Sequence, residues 1–116
     1  SKASKPMADP DHLIARLFAI YRGHFLGEDD ALPQFVAAGQ RFRNTFVSVV
    51  IGIADECQRM RRDQAVTDLL RRAIHIEPAV EVLYRRLMAS LRDAGERAEA
   101  LAVYSRCRDA IIAAFG

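Results

Sequence analysis

The chain has no tryptophan and only two cysteines, Cys57 and Cys107. Two cysteines so far apart build neither a disulfide framework nor a metal-ligand cluster. Nor is there an excess of one charge: 17 basic side chains stand against 15 acidic ones, a net +2. That is too little to drive binding to nucleic acid or to an anionic membrane. No apolar run approaches the ~20 residues of a membrane span, and no signal-peptide core is present. A glycine-rich phosphate loop, a dinucleotide fingerprint, His-Glu-x-x-His and the nucleophile elbow are all missing. His24 is a lone histidine. His75 and Glu77 are two apart, so they would not share a helix face. The expectation is a chain that is not an enzyme, with no catalytic residue, no cofactor, no metal site and no membrane contact. Both cysteines read as buried free thiols, which fits a reducing cytoplasm.

What is present is apolar periodicity. Hydrophobic residues make up 51% of the 116 residues and charged ones 28%. That balance is globular and fits one domain. From Val50 to Cys107 a pattern occurs twice. Val50, Ile53, Ala54 and Cys57 mark one helix face, then Val66, Leu70 and Ala73 the next, and Pro78 closes the unit. Tyr84, Leu87, Met88, Leu91, Ala100, Tyr104 and Cys107 follow, each 34 positions after its counterpart. That period and layout resemble a tetratricopeptide helix–turn–helix repeat, with Val66 where Ala is usual and Met88 where Gly is usual.

The rest of the chain supplies starts and stops. Residues 1–8 read as a linker or a cloning remnant and 9–116 as the domain. Asp9 as N-cap and Pro10 at the first helical position open a helix carrying Leu13, Ile14, Leu17, Phe18 and Tyr21. Gly23 ends it, and residues 24–30 connect. Leu32 to about Met60 reads as one long helix, with Phe35, Phe42, Phe46, Val49, Ile53, Cys57 and Met60 along its apolar side. Gly52 is expected at a helix crossing. Asp63 starts a third helix through Ile76, with Val66, Leu69, Leu70, Ala73 and Ile74 inward. Pro78 stops it. A fourth runs from about Ala79 to Asp93, with Leu83, Tyr84, Leu87, Met88 and Leu91 inward, and Ala94-Gly95 ends it. A fifth spans about Arg97 to Phe115, with Ala98, Leu101, Ala102, Tyr104, Ile111, Ile112 and Phe115 as its stripe. The expected fold is all-α: about five helices in tetratricopeptide-like antiparallel pairs, forming a short right-handed superhelix.

The arginines are the candidate functional residues. Arg61-Arg62, Arg71-Arg72 and Arg85-Arg86 are doublets. They read either as a solvated face over apolar neighbours or as a docking surface for an acidic partner. Stacked pairs expose the first helix of each pair, so Arg59, Arg85, Arg86 and Arg92 are the protein-interaction candidates, with His75 on a neighbouring helix.

Several motifs also resemble those of one family, in order and over residues 13–116. Tyr21-Arg22-Gly23-His24-Phe25-Leu26 is similar to the opening of the bacterial transcriptional activator domain. Leu69-Leu70-Arg71-Arg72-Ala73-Ile74-His75-Ile76-Glu77-Pro78 resembles its Leu-Leu-Arg-Arg-Ala-Leu-x-Leu-Asp-Pro. Leu83-Tyr84-Arg85-Arg86-Leu87-Met88 and the run from Ala94 to Tyr104 continue the match. The Trp often found near Ala31-Leu32-Pro33-Gln34 is missing, and the family usually continues beyond the position of Gly116. The resemblance implies a regulatory module that works by self-association or by contacts with other domains or the transcription machinery, RNA polymerase included. DNA contact would belong to a separate domain. The alternative is a tetratricopeptide-like adaptor unrelated to transcription.

Overall fold

The computed structural model of the chain describes residues 12, 14–19 and 33–116. Among these, every regular element is a helix and no strand occurs. Residues 14–19 are helical (α1). They are followed by α2 (Pro33–Arg59), α3 (Asp63–Ile76), α4 (Glu81–Asp93) and α5 (Arg97–Phe115). The architecture is the all-α helical repeat that the 34-residue period implies. The expected start at Asp9 and Pro10, the inward Leu13 and Tyr21, the stop at Gly23, the connector with His24 and the side chain of Phe35 lie outside the described residues.

The chain divides into two compact units, residues 1–49 and 50–116. In the first, Ile14 and Phe18 are buried, four residues apart on one face of α1. Phe18 meets Phe46 of α2 edge to face, with ring centroids 5.7 Å apart and planes at 70°. That geometry sets the positive edge of one ring against the negative face of the other.

The second unit holds both repeats. Val50, Ile53, Ala54 and Cys57 form the inward stripe at the end of α2. Val49 and Met60, both expected on an apolar side, are open to solvent instead. Val49 is rotated about 100° from Val50 on a helix with 3.6 residues per turn, and Met60 lies beyond the last helical residue. Gly52 is also not at a crossing. It is exposed, and a Cβ there would meet nothing within 4 Å.

Each first helix ends in the same way. After α2, the amide of Arg62 donates to the Cys57 carbonyl (2.8 Å) and that of Arg61 to Gln58 (3.0 Å). After α4, the amide of Glu96 donates to Leu91 (2.8 Å) and that of Gly95 to Arg92 (2.9 Å). These are two Schellman caps, each needing a left-handed residue. Gly95 supplies it at φ 81° and Arg61 at φ 60°. The two positions are 34 apart. Glycine takes that conformation freely, whereas arginine brings its Cβ close to the following carbonyl.

In α3 the inward set is Val66, Leu69, Leu70 and Ala73, with Ile74 half-buried. In α4 it is Leu83, Tyr84, Leu87 and Leu91, and Met88 is only half-buried. The Tyr84 hydroxyl donates to the Pro78 carbonyl at 2.7 Å, tying α4 to the proline that closes the first repeat. Helix α4 packs against both α3 and α5. The expected stripe of α5 needs correction. Ala100, Val103 and Cys107 are its buried residues. Ala98, Leu101, Ala102, Tyr104, Ile112 and Phe115 are exposed and Ile111 is half-buried. Apolar residues point to more than one side of α5, and α4 covers only the side holding Ala100, Val103 and Cys107.

Candidate protein-interaction surface

The four candidate arginines have three different environments. Arg59 is exposed at the end of α2, where its guanidinium pairs with Glu56 of its own helix. Arg85 is likewise exposed and pairs with Glu81 one turn back at 2.9 Å. Arg86 is half-buried and reaches across to α2. It meets Asp55 at 2.6 Å and donates a longer bond to the Gln58 side chain at 3.4 Å. Arg92 is exposed and has no ion-pair partner among the described residues. The doublet Arg85-Arg86 is therefore split: one side chain faces water and the other joins two helices. His75 is exposed on α3.

Helical spacing brings Arg85, Met88 and Arg92 onto one stripe of α4, at i, i+3 and i+7. That stripe borders an open groove of about 600 Å³ between α4 and α5. Met88, Arg92, Arg97, Ala100, Leu101 and Tyr104 line it. Arg97 also has no ion-pair partner among the described residues. Leu101 is 69% exposed and Tyr104 55%, and Ile112 and Phe115 are open farther along α5. Leu101, Tyr104, Arg108, Ile112 and Phe115 recur at three- and four-residue steps, so they share one side of the helix. Helical spacing alone puts Met88, Leu101 and Tyr104 inward and does not single out Arg97, whereas Leu101 and Tyr104 are exposed and Met88 is half-buried. One signal could have found the surface: α5 is apolar on more than one side, as a helix contacted from two directions is.

On the other side of α5, a second polar junction ties the repeats. Glu99 of α5 meets Arg71 of α3 at 3.3 Å and Arg106 of its own helix at 3.3 Å. Together with Asp55–Arg86, it links first helix to first helix and second helix to second helix. All these groups are at least partly solvated, so each contact contributes roughly 0–1 kcal/mol.

The Cys107 thiol is not activated as a nucleophile. Cys57 and Cys107 are both buried and unbonded to each other. Burial pushes the Cys107 thiol above its usual range and the Glu81 carboxylate adds to this, with Arg85 opposing. The Tyr84 phenol is also raised, first by burial and then by Cys107, against Arg106. Neutral forms are favoured at both sites, whereas a nucleophilic cysteine needs the opposite shift.

A family model described as the bacterial transcriptional activator domain matches residues 6–116. No curated protein and no solved structure matches the chain.

Proposed function

The chain belongs to the bacterial transcriptional activator domain family, and from that premise we propose that it is the protein-contact module of a bacterial transcriptional regulator. It works by self-association or by binding other domains or the transcription machinery. It neither catalyses a reaction nor reads DNA itself, and DNA contact falls to a separate domain. The observation that carries this reading is the groove of α4 and α5, which nothing covers among the described residues. Contiguous exposed apolar side chains rimmed by cations are the usual mark of a protein-binding surface. The near-balanced charge of the chain supports the same reading, because a DNA-binding face needs a concentrated basic patch.

Arg85 and Arg92 are the residues to test, because Arg86 holds α4 to α2. Reversing Arg86 to Glu would set it against Asp55 and disturb packing. Reversing Arg85 and Arg92 to Glu leaves the fold within about 0.5 kcal/mol, the usual range for surface changes. In the regulator that carries this chain, the double reversal lowers promoter activation in a reporter assay while operator binding persists. Sequence-specific DNA binding by the 116-residue chain in a gel-shift titration would overturn the reading. Unchanged activation would move the contact surface elsewhere.

A further inference from the structure

A second cavity lies on the side of α5 away from the groove, and three consecutive helices build it. It holds about 210 Å³. Helix α3 lines it with Arg71, Ile74 and His75, α4 with Tyr84 and Leu87, and α5 with Val103 and Arg106. Each helix contributes residues three or four apart, the spacing of one helix face. Tyr84, Leu87 and Val103 are buried and form an apolar floor, with Ile74 half-buried beside them. The rim is cationic. Arg71 and Arg106 are exposed and approach one oxygen, Oε2 of Glu99, at 3.3 Å each. Two guanidiniums share one carboxylate, so the trio carries a net positive charge. Each guanidinium has five N–H donors, more than one shared oxygen can use. His75 adds a polar group to the same rim. The Tyr84 hydroxyl donates to the Pro78 carbonyl, so its proton is already committed.

We infer that this cavity binds a small organic carboxylate with an apolar body, the body resting on Leu87 and Val103 and the carboxylate pairing with Arg71 and Arg106 beside Glu99. The volume is below the roughly 300–1,000 Å³ of sites for drug-sized molecules, so the ligand is small. A planar carboxylate accepts parallel N–H bonds from a guanidinium fork. Inorganic phosphate would satisfy the fork but leave the apolar floor facing water. A neutral molecule of the same shape would cover the floor but leave the positive charge without a counterion. Glu99 holds part of the same guanidinium edges and competes with the ligand, which keeps the affinity modest. Cavity and groove lie on different sides of α5, so the inference goes beyond the protein-contact reading and does not depend on it.

The test titrates sodium benzoate into the 116-residue chain at constant ionic strength and follows methyl signals by NMR. Ile74, Leu87 and Val103 should shift together and saturate, with Kd on the order of 1 mM. Benzyl alcohol and inorganic phosphate should each bind more weakly by at least about twofold, since each meets only half of the site. Arg71→Met and Arg106→Met keep the length of the side chain and should each weaken benzoate by about two- to fivefold, the size of one solvated ion pair. Glu99→Gln should tighten benzoate by a similar factor, because it removes the competing carboxylate. That sign separates a ligand site from a joint that only holds helices together, whose loss would leave affinity unchanged or lower. Circular dichroism checks that the three variants keep the helical signal. The inference is overturned by shifts that never saturate, by benzyl alcohol or phosphate binding as tightly as benzoate, or by Glu99→Gln failing to tighten it. Saturating shifts confined to Leu101 and Tyr104 would also overturn it. Each of these leaves the protein-contact reading to be judged by the gel-shift and reporter assays.

Discussion

Repeat one and repeat two carry the same spacing of residues and the same cap at the end of the first helix, yet among the described residues one is a closed core and the other is half open. Leu70 and Tyr104 occupy equivalent places on α3 and α5. Leu70 is fully buried and Tyr104 is mostly in water. Their own helices do not cause the difference. A stacked repeat buries its face only when the next helix arrives. Helix α4 serves the first repeat in that way. Among the described residues the second repeat's apolar face has no such neighbour, which is why its groove is open and its counterpart is core.

The comparison breaks most visibly if both positions are truncated. Leu70→Ala should cost about 2–5 kcal/mol, the transfer and cavity cost of a buried leucine. Tyr104→Ala should cost under about 1 kcal/mol, because most of that side chain is already hydrated. Thermal or urea denaturation of the two variants measures both. Equal losses would mean that Tyr104 is as covered as Leu70 and that the two repeats do not differ.

A smaller effect is expected at the caps, where the repeats agree in geometry but not in residue. Arg61→Gly replaces a strained left-handed arginine with the residue found at Gly95. It should raise stability by about 0.5–1 kcal/mol, the strain relieved less the extra unfolded-state entropy of glycine. A raised urea midpoint at unchanged slope is the expected result. A lowered midpoint would show that the Arg61 side chain contributes more than its backbone costs.

The smallest effect concerns the joint between the repeats. A double-mutant cycle of Asp55→Ala and Arg86→Ala should give a coupling of about 0.2–1 kcal/mol, shrinking with added salt. A coupling near zero would assign the joint to apolar contacts alone.

Much of this fold could be read from spacing. Asp63–Ile76 and Arg97–Phe115 are helices with the bounds expected of them. The stop at Gly95 was visible because glycine before a charged turn marks a left-handed cap. The inward faces of α3 and α4 were also legible, Met88 apart, because apolar residues there keep to one side. In α5 that signal failed. Leu101, Tyr104, Ile112 and Phe115 recur at helical steps as regularly as Ala100, Val103 and Cys107 do. Periodicity cannot tell which of two apolar stripes a neighbour will cover. The doublet Arg85-Arg86 failed for a related reason. Adjacent residues point about 100° apart on a helix, so one faced water and the other an aspartate 31 positions earlier.

By itself the sequence determined that this chain folds as helices, where most of them start and stop, and that they repeat every 34 residues. Those properties are local, set by backbone propensity, caps and the phase of apolar residues. Only the tertiary structure decided which apolar residues form the core, which arginine is a joint and which faces water, and where the open groove lies. Burial depends on a second helix being present. That is a contact between segments distant in sequence, and periodicity within one segment contains no information about it.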